Sequence, residues 1–174
     1  MNYKIIDNVL PQEVFKSIQT EILGADFPWF MNQCIIKPDS THPIDDLYNY
    51  QFTHQFYRDY SFTSDKLNLI DPILFKLNPS AIVRIKANLI PRTETKITHE
   101  YHLDHDHFDG NNAIFYINSN DGYTIFSDGT KIQSVENRLL IFDPNILHTG
   151  TTCTDQRVRC LINFMYYDYT DTEI

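Results

Sequence analysis

Cysteine is too scarce here to hold the chain together: Cys34, Cys153 and Cys160 are three in number, and none stands in a CxxC or zinc-ribbon spacing. An odd count without a disulfide framework favours a reduced compartment, and the cytoplasm is the expectation. Long apolar runs are also lacking. No window approaches the roughly 18 to 20 apolar residues of a membrane span, and the first seven residues lack the apolar core of a secretion signal. A soluble protein without a membrane partner is therefore expected. Positive charge is in deficit, with 14 Lys and Arg against 23 Asp and Glu and a formal net charge of -9. That balance argues against nucleic acid as a partner, since broad contact with a phosphate backbone needs clustered cations. Only Arg84, Lys86, Arg92 and Lys96 lie close enough in sequence to make one groove locally basic. Glycine is sparse at five residues, and neither repeats nor low-complexity tracts are present.

What is present is aromatic: 14% of the 174 residues are Phe, Trp or Tyr, as in a well-packed β-rich domain. The length fits one domain over residues 1–174, large enough to bury about two thirds of its unfolded surface. Residues 11–23 read as a helix, with Val14, Phe15, Ile18 and Ile22 on one stripe and Pro11 and Gly24 at its ends. Residues 37–46, with His42, read as a solvated loop. Aromatics crowd residues 49–60, where Tyr50, Phe52, Phe56, Tyr57 and Tyr60, joined by His54, fill a core or wall a pocket. A second helix is expected over 64–77, with Leu67, Ile70, Leu74 and Leu77 on its stripe and Asp71-Pro72 kinking or splitting it.

Beyond residue 80 the period changes to two. Residues 81–90 alternate, with Val83, Ile85, Ala87 and Leu89 on one face and the polar Arg84, Lys86 and Asn88 on the other. Residues 91–100 read as a charged loop able to act as a lid, and strands follow at 112–118, 123–126, 131–134, 138–142 and 157–167. Two N-terminal helices before about seven short strands describe an α+β, mainly β protein, a sandwich or squashed barrel with helices against one sheet.

Chemistry concentrates in Tyr101-His102-Leu103-Asp104-His105-Asp106-His107. In an extended segment His102 and Asp104 point the same way and can grip one metal ion together. The third ligand must come from elsewhere, and His148, the one histidine downstream, closes an apolar run before Thr149-Gly150. Two histidines and one carboxylate form the facial triad of non-haem Fe(II) oxygenases. Structural zinc takes four ligands, often with cysteine, and no cysteine is placed to help. His99, His105, His107 and Asp106 are read as solvated or as the lip of the site. In the last strand Val158, Cys160, Ile162 and Phe164 should face the helices. Arg159 then shares the opposite face with Leu161, Asn163 and Met165; lining a cavity there, its planar fork suits a bidentate carboxylate. Arg157, two positions earlier on the same face, is the alternative.

Taken together, His102-x-Asp104, Phe115-Tyr116-Ile117-Asn118, Gly122-Tyr123-Thr124-Ile125-Phe126, His148-x-Gly150 and Arg159 resemble the 2-oxoglutarate/Fe(II)-dependent oxygenases of the prolyl 4-hydroxylase type. Residues 118–163 are most similar to small oxygenases of marine cyanobacterial phages, which would put the protein in the cytoplasm of an infected host. The resemblance covers residues 81–167 and implies a double-stranded β-helix (jelly roll) core there, with residues 1–80 as helical support and edge. It implies Fe(II) on His102, Asp104 and His148, and 2-oxoglutarate as cosubstrate with its distal carboxylate on Arg159 and Tyr116. Thr124 belongs to the family's Gly-x-Thr strand. O2 is the oxidant and ascorbate a candidate reductant. Relatives often carry a tyrosine where this chain has Ile90, before Pro91, and Asn88 is the candidate for the polar contact so lost. The implied activity is hydroxylation of a C–H bond, of a peptidyl proline or of a small molecule, with release of succinate and carbon dioxide. A non-catalytic β-helix module that binds a ligand or partner is the alternative.

Overall fold

Helix α1 (Gln12–Ile22) starts after Pro11, whose missing N–H would have had no partner there. Phe15, Ile18 and Ile22 are buried, but Val14 is 37% exposed, because it sits at the rim of a stripe centred on the other three. The structure, a computed structural model, describes residues 2–35, 47–105 and 108–169; the expected loop over residues 37–46 lies outside these. The second helix is split as Asp71-Pro72 suggests. A 3-10 turn (Leu67–Leu69) precedes α2 (Asp71–Leu77), with Pro72 in its first turn. The split shifts burial to Leu69, Ile70, Ile73 and Leu77, leaving Leu67 and Leu74 at the margin of the core.

Eleven strands are present among the described residues: β1 (Tyr3–Ile6), β2 (Phe30–Asn32), β3 (Gln51–Arg58), β4 (Ser61–Phe62), β5 (Ala81–Pro91), β6 (Asn111–Tyr116), β7 (Tyr123–Phe126), β8 (Lys131–Gln133), β9 (Arg138–Phe142), β10 (His148–Gly150) and β11 (Val158–Tyr167). The larger sheet runs β1-β9-β6-β11-β5-β3-β2, with β4 added to β3, and the smaller runs β10-β7-β8; every pairing is antiparallel. Residues before 81 thus supply strands as well as helices. The longest of these, β3, runs through the aromatic cluster, pairs with β5 and slips register between Gln55 and Tyr57. Its bulge breaks the two-residue alternation by which strands are recognised.

Alternation along β11 divides the interior. Cys160, Ile162 and Phe164 share one core with Phe15, Ile18 and Ile22 of α1 and Ile73 and Leu77 of α2, so the helices cover the outer face of the larger sheet. Leu161 faces the other way, into a second cluster with Tyr116 of β6, Phe126 of β7 and Ile132 of β8. This second core joins the two sheets face to face, which is the double-stranded β-helix, and its open end holds the polar inner residues of β5 and β11.

The loop over residues 91–100, read as able to act as a lid, is tied down. Arg92 N–H donates to the Arg157 carbonyl at 3.0 Å, Thr93 N–H to the Cys153 carbonyl at 3.1 Å and Ile97 N–H to Thr152 Oγ1 at 2.9 Å, and Thr98 bridges Thr151. These bonds satisfy backbone groups that a lid would have to leave to water. Among the described residues no helix is long and apolar enough to cross a membrane.

Candidate active site

His102 and Asp104 lie between β5 and β6, and His148 opens β10 on the smaller sheet. Their segment is not a continuous strand. His102 makes one antiparallel bridge with His148, with N–H to carbonyl distances of 2.9 and 3.1 Å in the two directions, and the chain bends at Asp104. The bridge sets the imidazoles side by side with ring centroids 4.9 Å apart, and Phe142 holds the His148 ring from behind at 4.9 Å. One donor atom each from His102, Asp104 and His148 lies within 4.8 Å of the other two. Bonds of about 2.1 Å to a first-row ion close that gap with small side-chain movements.

The surroundings fix the state of each donor. His148 Nδ1 lies 3.0 Å from the Ile146 carbonyl and His102 Nδ1 3.2 Å from that of Glu100. A carbonyl only accepts, so Nδ1 carries a proton in each ring and Nε2 is the nitrogen that a metal, or for His148 the Asp104 carboxylate at 3.4 Å, can engage. Burial, with His148 alongside, pushes His102 further toward its neutral form. Burial alone would raise the Asp104 pKa, but the hydrogen bond with His148 and the charge of Arg84 outweigh it and hold the carboxyl well below the usual range. Arg84 Nη2 donates to Asp104 Oδ1 at 2.6 Å, and Asn112 Nδ2 to Oδ2 at 3.1 Å. Two imidazoles that both present Nε2 and a carboxylate held ionised fit Fe(II), with coordination positions left open. The cysteines play no part: Cys160 lies in the helix-side core.

A cavity of about 610 Å³ opens between the sheets, and its lining includes the triad, Asn88, Thr124 and Arg159. Arg159 is 1% exposed. Its Nε donates to Ser134 Oγ at 2.9 Å and its Nη2 to Thr124 Oγ1 at 3.0 Å, and Thr124 in turn shares a 2.9 Å hydrogen bond with the Tyr116 hydroxyl. No carboxylate pairs with it among the described residues. Its partners are neutral hydroxyls, and burial lowers its pKa. Arg157, by contrast, is exposed and precedes β11. Tyr116, fully buried, stands behind Thr124 and reaches the cavity through it.

Two glycines and an asparagine seat this arginine. A Cβ on Gly122 would lie 2.7 Å from Arg159 Cδ and 2.9 Å from the Thr152 carbonyl, and one on Gly150 would lie 3.1 Å from Nη1. Asn118 Oδ1 accepts from Cys160 N–H at 2.9 Å while its Nδ2 donates to the Val158 carbonyl at 2.8 Å, bracketing Arg159 on its strand. Gly122→Ala must therefore displace the guanidinium while leaving the metal ligands in place. The expected result is a loss of roughly tenfold in 2-oxoglutarate affinity, about 1.4 kcal/mol, with metal affinity unchanged; calorimetric titration of the metal and then of the cosubstrate checks it.

Of the remaining candidates, Asn88 is buried with its Oδ1 unpartnered, and His99 lines the cavity beside Ile90. His105 is exposed, its ring 6.4 Å from Phe108. His54 bonds to the Pro28 carbonyl and Ser64 Oγ between Phe27 and Phe56, away from the cavity. His42, Asp106 and His107 lie outside the described residues. The sequence reading did not anticipate Ser134, Asn112 or the contact of Arg84 with Asp104. For Arg84 a signal existed in the polar face of β5; for Ser134 there was none.

No family model matches the sequence, and no curated protein does either. Solved structures do. The non-heme alpha ketoglutarate dependent epimerase SnoN from nogalamycin biosynthesis aligns over 99% of this chain and 80% of its own, with a TM-score of 0.65 at 12% identity. A prolyl hydroxylase from Trichoplax adhaerens, in complex with a hypoxia inducible factor peptide fragment, aligns over 95% and 83%, with a TM-score of 0.62 at 14% identity. HygX from Streptomyces hygroscopicus, with nickel and 2-oxoglutarate bound, aligns over 98% and 84%, with a TM-score of 0.58 at 13% identity. The chain has the double-stranded β-helix fold that these 2-oxoglutarate-dependent proteins share.

Proposed function

We propose that the protein is a 2-oxoglutarate/Fe(II)-dependent hydroxylase, with residues 1–174 acting as one oxygenase domain. The observation that carries this reading is a facial triad and a buried guanidinium, without a carboxylate partner among the described residues, opening on one cavity. A lone buried charge costs several kcal/mol of solvation, so Arg159 calls for an anion supplied from outside. A dicarboxylic 2-oxo acid supplies one end to Arg159 and the other to the metal.

Each residue then has a task. His102, Asp104 and His148 hold Fe(II), and Nδ1–H donation to backbone carbonyls fixes both rings. Arg84 and Asn112 orient the Asp104 carboxylate. Arg159 binds the distal carboxylate of 2-oxoglutarate, and Thr124, backed by Tyr116, holds the fork in plane. Ile114 and Leu161 keep water from the inner wall. When bound there, iron with 2-oxoglutarate and O2 supplies an oxidative decarboxylation that inserts one oxygen atom into a substrate C–H bond and the other into succinate, with loss of carbon dioxide.

The peptide prolyl hydroxylase and the antibiotic-pathway epimerase among the structural neighbours support both a peptidyl proline and a small molecule as substrate. The likeness of residues 118–163 to phage oxygenases supports a site of action in the cytoplasm of an infected host, with ascorbate available as reductant. The test is succinate formation by the Fe(II)-loaded protein under oxygen, with and without a proline-rich peptide. Slow turnover without peptide is expected. An absence of turnover together with an absence of 2-oxoglutarate binding would leave only a non-catalytic binding module.

A further inference from the structure

The inner face of β5 carries Arg84, Lys86 and Asn88, and opposite them on β11 Asn163 pairs with Lys86 and Leu161 with Asn88. All five line the cavity, together with one carboxylate among the described residues, that of Asp104. Both Asp104 oxygens are already engaged, by Arg84 and by Asn112 and His148. Lys86 is half-buried among these groups and makes no direct hydrogen bond or ion pair among the described residues. Burial, with Arg84 next to it, pushes its ammonium down to about 8. It is still mostly charged at neutral pH, in a place where charge is costly.

With a metal and cosubstrate bound, the charges of the site do not cancel, and Lys86 is the cation without a local anion. A divalent ion and a 2-oxoglutarate dianion offset one another, which leaves Arg84, Lys86 and Arg159 against Asp104 among the described residues of the lining. Oδ1 atoms of Asn88 and Asn163, buried and without partners, face the same space and need hydrogen-bond donors. An unpaired cation beside unpaired acceptors is complementary to a carboxylate that stands next to an N–H group. Resting on the oxygenase reading above, we propose that the substrate is a free α-amino acid whose carboxylate pairs with Lys86 and whose amine donates to Asn88 and Asn163. A prolyl residue inside a peptide offers no such carboxylate.

The experiment loads the protein with Zn(II) and 2-oxoglutarate, so that no turnover occurs. The proteinogenic L-amino acids, each paired with its carboxamide, and a proline-rich peptide are then titrated by calorimetry. At least one amino acid is expected to bind tenfold or more tightly than its amide. That preference should fall below twofold in Lys86→Met and return in Lys86→Arg, with 2-oxoglutarate affinity unchanged in both variants. Equal binding of acids and amides, binding of none of them, or peptide binding indifferent to Lys86→Met would overturn the proposal. So would a tenfold loss of 2-oxoglutarate affinity in Lys86→Met, which would give Lys86 to the cosubstrate instead. Failure of the wild-type protein to bind 2-oxoglutarate would sink the oxygenase reading itself, and the affinities measured before any amino acid is added keep that outcome separate.

Discussion

Replacing Asp104 by alanine is expected to weaken Fe(II) binding by at least about a hundredfold, since it removes the only carboxylate in the ligand set. It should also destabilise the apoprotein, for a reason unconnected with the metal. Asp104 is the acceptor for the Arg84 guanidinium at 2.6 Å, and the two side chains are 24% and 10% exposed for Arg84 and Asp104 respectively. Breaking a buried pair by removing one partner costs about 3–5 kcal/mol, and partial exposure of Arg84 puts the expected loss below that range. His102→Ala is the contrasting variant. It removes an equally necessary ligand, but among the described residues the His102 side chain makes one hydrogen bond, at 3.2 Å to the Glu100 carbonyl, besides its ring contact with His148, so the apoprotein should melt close to wild type. Competition with a fluorescent chelator measures the metal, and thermal unfolding of the apo forms measures the stability. Comparable iron loss in both variants with a stability loss in only one is the expected pattern; wild-type iron affinity in either removes that residue from the site.

Arg159→Met is expected to abolish 2-oxoglutarate binding, with at least a hundredfold loss in affinity, while leaving the apoprotein as stable as wild type or more so. The two halves of this result have one cause. The guanidinium is fully buried, over the Tyr116 ring and hydrogen-bonded to hydroxyls, with no carboxylate partner among the described residues, so the apo fold carries the desolvation of a cation without a counter-ion. A methionine of similar length removes that charge and fills the space. In wild type, 2-oxoglutarate at a hundred times its dissociation constant stabilises the fold by about 2.7 kcal/mol, and this ligand-induced rise in melting temperature should vanish in the variant. Arg157→Met, at an exposed position before β11, should behave as wild type. If Arg157→Met loses the cosubstrate and Arg159→Met does not, the assignment moves two residues.

The parts of the molecule that were legible in the chain are those whose signals are local. β7 and β9 lie where alternation between turn residues put them, at Tyr123–Phe126 and Arg138–Phe142. The facing of β11 followed from the same period, with Cys160, Ile162 and Phe164 toward the helices and Arg159 toward the cavity. β1, Tyr-Lys-Ile-Ile, does not alternate along its length, β2 has three residues, and β3 is bulged with aromatic residues on both faces, so none of them showed a strand period. In the site, His102 and Asp104 are neighbours in sequence, and their spacing was informative. The contacts that orient them are not: Arg84 reaches Asp104, and Ser134 reaches Arg159, only through the register of separate strands. Lys86 stood out as part of a polar face, but whether such a face meets water or a cavity depends on the sheet opposite it.

The place of β11 between β5 and β6 bears on how the protein is made. These two strands, which a shorter sheet could have joined directly, are separated by a strand that follows both of them in the chain. Until residues 158–167 emerge, the centre of the sheet is missing and both flanking strands wait with unsatisfied backbone groups. Such long-range closure is slow compared with helix formation, and the waiting intermediate is exposed to misassembly. Arg159 travels on this strand. The buried guanidinium is thus enclosed only when β11 docks between its two neighbours, so an anion that binds Arg159 would act on that closure rather than on any earlier pairing of β5 or β6.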